Sequence, residues 1–429
     1  MLSLWQSHVK TGVNSLTTGK NILLKGYYDF FNFGDELLLL SMVDFFRDEF
    51  VDNNQAVTLF IERQKKSIEA LNYDTLPLHE FQEPIKGFVK QQKANGMNGL
   101  LLKLCTNALF MLAFFDAILF RLTGNAIFFK KLFKFYQELD VIHYIGGGYF
   151  TSIWDFSIAY VLYELLSTRL AKLVNPRIEL VASGLGIGPL TSNAYNQLFK
   201  RFIAPFTAIH VREHISLKHV KNLGFAQHAA CLGDDVQMFL PLFQQYKEAN
   251  KEIREQQKIF GINLKYDKEH DYTELKGAIQ TLVTTLIEDG WQVSFFSFGT
   301  DHAVLNTLDE HVREKLRIHK PYEEGMHEFL THFSQMRAGL GFAYHFSVLS
   351  SLFEIPALNI YVGEYYKQKI GEVIKKLSPS QKILSDQELI QSRVEDLLDG
   401  YTLNDKQIVY SAYEKMRSSY KEIYQRIFA

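Results

Sequence analysis

The sequence predicts an α/β protein in which two Rossmann-like domains face each other across a cleft. Short runs rich in Val, Ile and Leu alternate with helical patterns, as parallel strands buried on both faces require. This alternation restarts at Lys258 after a polar stretch. Turns rich in glycine or polar residues follow the carboxyl ends of several strands, where open α/β sheets bind ligands. A chain of 429 residues also exceeds what one hydrophobic core usually serves.

Residues 21–28 (NILLKGYY) read as the first strand and 35–47 as a helix, joined by a loop over 29–34. Strands follow at 56–61 (AVTLFI) and 141–145 (VIHYI), the latter running into Gly146, Gly147 and Gly148. A helix over 157–174 leads to a strand at 178–183 (IELVAS), a glycine turn over 184–189 and a strand at 208–211 (AIHV). The second series has strands at 259–264 (IFGINL), 291–297 (WQVSFFS), 339–342 and 357–361 (ALNIY). Its helices fall at 272–288, 325–336 and 345–353. Residues 1–243 thus make the first domain and 258–400 the second, linked by the polar, helix-friendly 244–257. Residues 401–429 form a terminal helix placed to cross back over the first domain.

A net charge of −2, from 46 Lys and Arg against 48 Asp and Glu, gives no global basic field and argues against nucleic acid as partner. Cys105 and Cys231 lie in no C-x-x-C or histidine-rich context, so neither a disulfide framework nor a cysteine zinc site is expected. The first 20 residues lack the apolar region of a signal peptide, and a cytoplasmic location is expected. Residues 100–122 are very apolar but carry Lys103, Asp116 and Arg121. Those charges favour a long, largely buried helix or helix pair. A helix docking on a membrane surface or a partner is the second reading, and a true span the third.

Five turns carry residues suited to chemistry. Asn32, Asp35 and Glu36 stand where the first strand gives way to a helix. Acidic groups suit the positive end of a helix dipole, and the aromatic crowding from Tyr27 to Phe33 suits a ligand-facing lip. Gly146, Gly147 and Gly148, with Asp155 beyond them, let the backbone approach a ligand and offer amides to an anion. The run over 184–189 is similar, but its G-x-G-x-G spacing and immediate Pro189 depart from the dinucleotide fingerprint, so NAD is not predicted. Arg212 and Ser216 follow the strand at 208–211. A planar guanidinium there suits phosphate or carboxylate, with pairing to Glu213 as the alternative. Tyr344 and His345 open a helix after a short strand, where an imidazole shares the amino-terminal field with an anion and is poised for proton transfer.

These turns, together with Gly233-Asp234, Ile360-Tyr361 and Lys367, occur in an order that resembles the polysaccharide pyruvyltransferase family over roughly residues 21–369. The resemblance implies a glycosyltransferase-B-like architecture and phosphoenolpyruvate as donor, with no separate cofactor and no metal. It implies a saccharide acceptor on a bacterial surface polysaccharide or its lipid-linked precursor. Arg212 falls on the family arginine implied to grip the donor's phosphate or carboxylate, and His345 on the implied acid–base residue. Tyr344, Ser216, Lys265 and Lys367 complete the expected donor side. Asn32, Asp35, Glu36, Gly146, Gly147, Gly148 and Asp155 make up the cleft loops and acceptor side. The family often has arginine two positions before this histidine, whereas this chain has Ala343, so Arg337, Lys265 or Lys367 would have to substitute. The rival readings are a nucleotide-sugar-dependent glycosyltransferase on the same scaffold and a non-catalytic member with a degenerate donor site. The oligomeric state is left open.

Overall fold

The computed structural model describes residues 19–28, 30–62, 66–154, 156–264, 273–299, 305, 308–379, 381–391 and 406–428. Asp155 and Lys265 lie outside the described residues.

The first sheet contains β1 (Lys20–Lys25), β2 (Val57–Ile61), β3 (Leu78–Glu80), β4 (Val141–Tyr144), β5 (Gly147–Phe150), β6 (Glu179–Ile187), β7 (Ala208–Val211) and β8 (Ala229–Cys231). Its order is β3-β2-β1-β4-β6-β7-β8, with β5 paired to β6, and every pairing is parallel. The second sheet holds β9 (Ile259–Asn263), β10 (Gln292–Phe296), β11 (Arg317–His319), β12 (Ala338–Gly341), β13 (Ala357–Tyr361) and β14 (Lys382–Ser385). Its order is β11-β10-β9-β12-β13-β14, again all parallel. Strand order therefore reverses between β1 and β4 in one sheet and between β9 and β12 in the other. Loops leaving the carboxyl ends of these strands splay apart at such a reversal, which is where doubly wound sheets bind ligands.

The sequence explains the central strands: Ile22, Leu23 and Leu24 are buried on consecutive positions, so both faces of β1 are covered. The helix Phe33–Phe46 is buried at every position except Asp35, with leucine at four consecutive positions, Leu37 to Leu40. A helix apolar all round belongs inside a protein, and this one joins a hydrophobic core that spans both domains. Phe33 packs against Phe298 and Phe329 of the second domain, with centroids 5.7 and 4.7 Å away, and Phe243 against Phe353 at 4.8 Å.

The helix-friendly 244–257 stretch is helical: the helix Leu240–Ala249 buries Phe243 and Tyr246 in the shared core, and Arg254 of the helix Lys251–Gln256 donates to the Phe353 carbonyl at 3.3 Å. One expectation needs correction. Residues 100–122 form one helix, Gly99–Thr123, that is not largely buried. It sinks Phe110, Ala113, Asp116, Ala117 and Phe120, half-buries Leu109, Leu112 and Phe114 against the same core, and leaves Leu101, Leu104, Met111, Phe115, Ile118 and Leu122 exposed. The terminal helix Lys406–Phe428 returns to the first domain, where the Tyr424 hydroxyl meets His143 Nδ1 at 2.7 Å and Arg417 pairs with Glu49.

Candidate active site

The loop after β1 reaches the second domain. Its Phe33 amide donates to the Phe298 carbonyl at 2.8 Å, just beyond β10. Its Gly34 lies against His345, which sits in the first turn of the helix Tyr344–Leu352. A Cβ on Gly34 would stand 2.6 Å from His345 Cε1 and closer still to Nδ1. Glycine there is what lets an imidazole from one domain press on the backbone of the other. The helix bearing His345 is anchored by Asn263 at the end of β9, whose Oδ1 accepts the Ala343 amide at 3.0 Å. His345 is 9% exposed as a residue, while its Nε2 is buried in the seam.

Tyr344 continues the contact. Its ring is 5.0 Å from the His345 ring, and the Arg212 guanidinium of the first domain lies 4.2 Å above its centroid. Gly186 makes room, since a Cβ there would stand 2.6 Å from an Arg212 terminal nitrogen. On the second domain Lys369 Nζ lies 4.7 Å from the same ring centroid. Tyr344 is therefore clamped between cations from both halves of the protein.

Arg212 is not the open anion fork read from its strand-end position. It is 2% exposed, its Nε donates to Glu213 Oε1 at 2.6 Å, and a terminal nitrogen stands 3.5 Å from Asp234 Oδ2. Two carboxylates and an aromatic face already engage the charge. Burial pushes the Asp234 carboxyl above the ordinary range despite Arg212 beside it. Ser216 is committed as well: its Oγ donates to Glu213 Oε2 at 2.6 Å and accepts the Ile187 amide at 2.8 Å. Both residues hold the seam's framework.

The glycine turn also differs from the expected anion cradle. Gly147 and Gly148 open β5, paired to β6, and the Gly146 amide donates to Asp235 Oδ2 at 2.9 Å. Asp235 also accepts from Ser183 Oγ at 2.7 Å and from the Tyr420 hydroxyl at 2.8 Å. Burial pushes its carboxyl up to about 7. The protein's own carboxylate takes the Gly146 amide. Glu36, read as a helix-dipole partner, is fully buried and accepts from Tyr322 of the second domain at 2.7 Å, and burial raises its pKa. Asn32 is exposed and donates to Asp35 Oδ2 at 2.6 Å.

Neither described substitute for the missing arginine reaches the seam. Arg337 is exposed at the amino end of β12, the end opposite His345. Lys367 is exposed, paired with Glu364 at 3.5 Å and set over Tyr361. The lysine that meets Tyr344 is Lys369, two residues on and so on another side of the helix Gly363–Leu377. The same helix carries Lys376, whose Nζ is buried with no hydrogen-bond partner among the described residues. Burial lowers its pKa, and Asp234 and Glu213 act on it electrostatically. Neither lysine carries a motif signal, and only helix packing brings them here.

Among the described residues one group has metal-ligand chemistry, His319, Glu324 and His332, with atoms within 4.8 Å of one another. Glu324 Oε2 stands 3.4 Å from Nδ1 of each histidine. Burial raises the Glu324 pKa, but the two imidazoles outweigh it and hold the carboxyl below its usual value.

The fold has many known counterparts at low sequence identity. UDP-GlcNAc 2-epimerase from Methanocaldococcus jannaschii superposes with a TM-score of 0.56 at 12% identity, over 95% of this chain and 99% of that one. MnaA of S. aureus, solved with UDP, gives 0.51 at 9% identity over 93% and 90% of the two chains. HepE of Anabaena, solved with UDP-glucose, gives 0.51 at 10% identity over 95% of each. These likenesses show a GT-B-type fold. No curated protein sequence matches the chain. Residues 32–364 match the polysaccharide pyruvyl transferase family, a span running from the Asn32 loop past His345. The chain belongs to the polysaccharide pyruvyl transferase family and is a transferase.

Proposed function

We propose that the protein transfers a pyruvyl group from phosphoenolpyruvate to a pair of saccharide hydroxyls, forming a cyclic ketal, with His345 as the proton donor. The observation that carries this reading is the convergence of Gly34, Arg212, Tyr344 and His345 from two domains on one seam. Phosphoenolpyruvate carries a phosphate and a carboxylate on its enol carbon. A proton delivered to the methylene carbon makes the methyl group, and one sugar hydroxyl attacks the cationic carbon so formed. Phosphate leaves with its C–O bond electrons and takes up the first hydroxyl's proton, and a second hydroxyl closes the ring, returning its proton to the site. The protein must neutralise two anionic groups and place one proton. Lys369 and the buried Nζ of Lys376 suit the first task, and the imidazole of His345 at a helix amino terminus suits the second. Arg212 serves by holding Tyr344, and so the start of that helix, in place.

The saccharide belongs to a bacterial surface polymer or its lipid-linked precursor, and the enzyme works in the cytoplasm. The experiment is a screen of the purified protein. Phosphoenolpyruvate should raise the melting temperature where nucleotide sugars do not, and an acceptor saccharide should then trigger phosphate release. Stabilisation by a nucleotide sugar alone, with no phosphate released from phosphoenolpyruvate, would replace this reading with a glycosyltransferase. No response to any donor would make the protein a non-catalytic family member.

A further inference from the structure

We infer that the helix Gly99–Thr123 docks this protein onto an anionic phospholipid surface, lying flat in the bilayer interface. Leu101, Leu104, Met111, Phe115, Ile118 and Leu122 recur at helical spacing along one exposed face, and Met111, Phe115 and Leu122 are 70%, 64% and 79% exposed. A stripe of this length on a soluble domain marks a contact surface. The opposite face is built into the protein. Phe110 packs on Tyr163 with centroids 5.5 Å apart, and Arg121 reaches the Leu173 carbonyl at 3.5 Å. The buried carboxylate of Asp116 accepts the amides of Ile127, Phe128 and Phe129 at 2.6, 2.9 and 2.8 Å. It thereby fixes a turn that leaves Ile127 64% exposed at the end of the stripe. With its inner face packed and its one carboxylate spent on that turn, the helix cannot cross a bilayer without leaving the domain, so the surface is the favoured place.

Charge selects the occupant. Residues 84–134 contain eight Lys and Arg and one acidic residue, the buried Asp116, while the whole chain carries a net charge of −2. Lys90, Lys93, Lys103, Arg121, Lys130 and Lys134 are exposed around the stripe. A second copy of this helix would bring like charges together with no exposed acid in the segment to answer them. An anionic headgroup layer supplies both the apolar interior and the opposite charge.

The orientation also follows. The contacts of Phe110 with Tyr163 and of Arg121 with Leu173 share nearly one offset, so this helix runs parallel to Ser157–Val174. That helix begins just after β5 at the carboxyl edge of the first sheet, where Ile153 and Phe156 are also exposed. The Leu101 end of the stripe thus lies toward the side of the domain that carries the seam. Binding to lipid does not depend on the pyruvyl-transfer reading, and its test uses no substrate.

The test is co-sedimentation of the full chain with vesicles of phosphatidylcholine alone or with about one-third phosphatidylglycerol. The protein should bind the mixed vesicles, release as salt is raised, and bind pure phosphatidylcholine at least tenfold more weakly. The double substitution Met111→Glu with Phe115→Glu, at exposed positions, should leave the melting temperature unchanged and weaken binding at least tenfold. Lys130→Glu with Lys134→Glu should remove the preference for anionic lipid. Failure of the parent chain to sediment, or unaltered binding by the Met111/Phe115 variant, overturns the proposal. A dimer that the Met111/Phe115 variant splits into monomers overturns it too, in favour of a self-association surface.

Discussion

Gly34 of the first domain and His345 of the second are in backbone-to-imidazole contact, so tight that a single methyl group on Gly34 would displace the ring. If His345 supplies the proton, its removal takes away general acid catalysis of the order of 10²–10⁴ in rate. We expect His345→Gln to lower kcat at least a hundredfold, with a melting temperature close to that of the parent. Gly34→Ala should lower kcat comparably with the imidazole still present. Phosphate release from phosphoenolpyruvate in the presence of acceptor measures both. Near-normal turnover in the His345 variant removes it from the chemistry.

Arg212 calls for a different expectation from an exposed cleft arginine. Removing it leaves Glu213 and Asp234 buried without their cation, a loss of about 3–5 kcal/mol when a buried pair is broken from one side. Arg212→Ala should therefore lower the midpoint of chemical denaturation sharply. The ring contact can be probed more gently. Tyr344→Phe keeps the surface under the guanidinium and should retain turnover within about threefold, while Tyr344→Leu loses a cation–ring contact of roughly 0.5–2 kcal/mol and should lose both stability and activity. An Arg212→Ala protein as stable as the parent would contradict the buried pairing.

The Lys406–Phe428 helix is tied to the site's framework by the Tyr420 hydroxyl on Asp235 Oδ1. Tyr420→Phe removes the donor and leaves a buried acceptor unsatisfied, at a cost of about 1–3 kcal/mol. Losing a donor also disfavours the ionised carboxyl, so the Asp235 pKa should rise beyond its value of about 7. Denaturant titration of the variant checks the first effect, and carboxyl-selective NMR titration the second.

His210 makes stability depend on acid. It stacks on Tyr420 with ring centroids 5.2 Å apart, and burial lowers its pKa to about 4. In the unfolded chain it takes a proton near pH 6.5. Between those values the unfolded state binds the extra proton, so this stability is present above pH 6.5 and is lost as pH falls toward 4. The effect between pH 7 and pH 5 is about 2 kcal/mol. His210→Phe keeps the stack and removes the titration, so its stability should fall less than the parent's over that interval. Parallel denaturation at the two pH values decides it, and equal losses would refute the assignment.

Much of this fold was legible in the sequence. The runs NILLK, VIHY, IFGIN and ALNIY are apolar on both faces, and only a strand inside a parallel sheet buries such a pattern. The short strands at 78–80, 229–231, 317–319 and 382–385 are not legible, because runs of three or four residues carry too little periodicity unless a marked turn follows, as it does after 208–211 and 339–342. Of the seam, the positions of the Asn32 loop, Arg212 and the Tyr344-His345 pair are legible because each follows a strand's carboxyl end, whereas the inward turn of Arg212 is not. Their partners were not: Asp235 reaches Gly146 across 89 residues, and Lys25 sits in an apolar strand with its Nζ 3.1 Å from Glu62 and 2.5 Å from Glu164. Burial opposes that lysine's charge, but the two carboxylates outweigh it and hold its pKa well above the ordinary value.

The sequence by itself determined the two parallel sheets, the order of the elements and the turns that meet between the domains, because side-chain periodicity and backbone chemistry are local properties. Tertiary structure alone decided what those turns do. It turned Arg212 inward onto two carboxylates and Tyr344, gave the Gly146 amide to Asp235, chose Lys369 over Lys367, and left one face of the Gly99–Thr123 helix in water. Charge pairing and burial depend on groups far apart along the chain, and no local pattern encodes that distance.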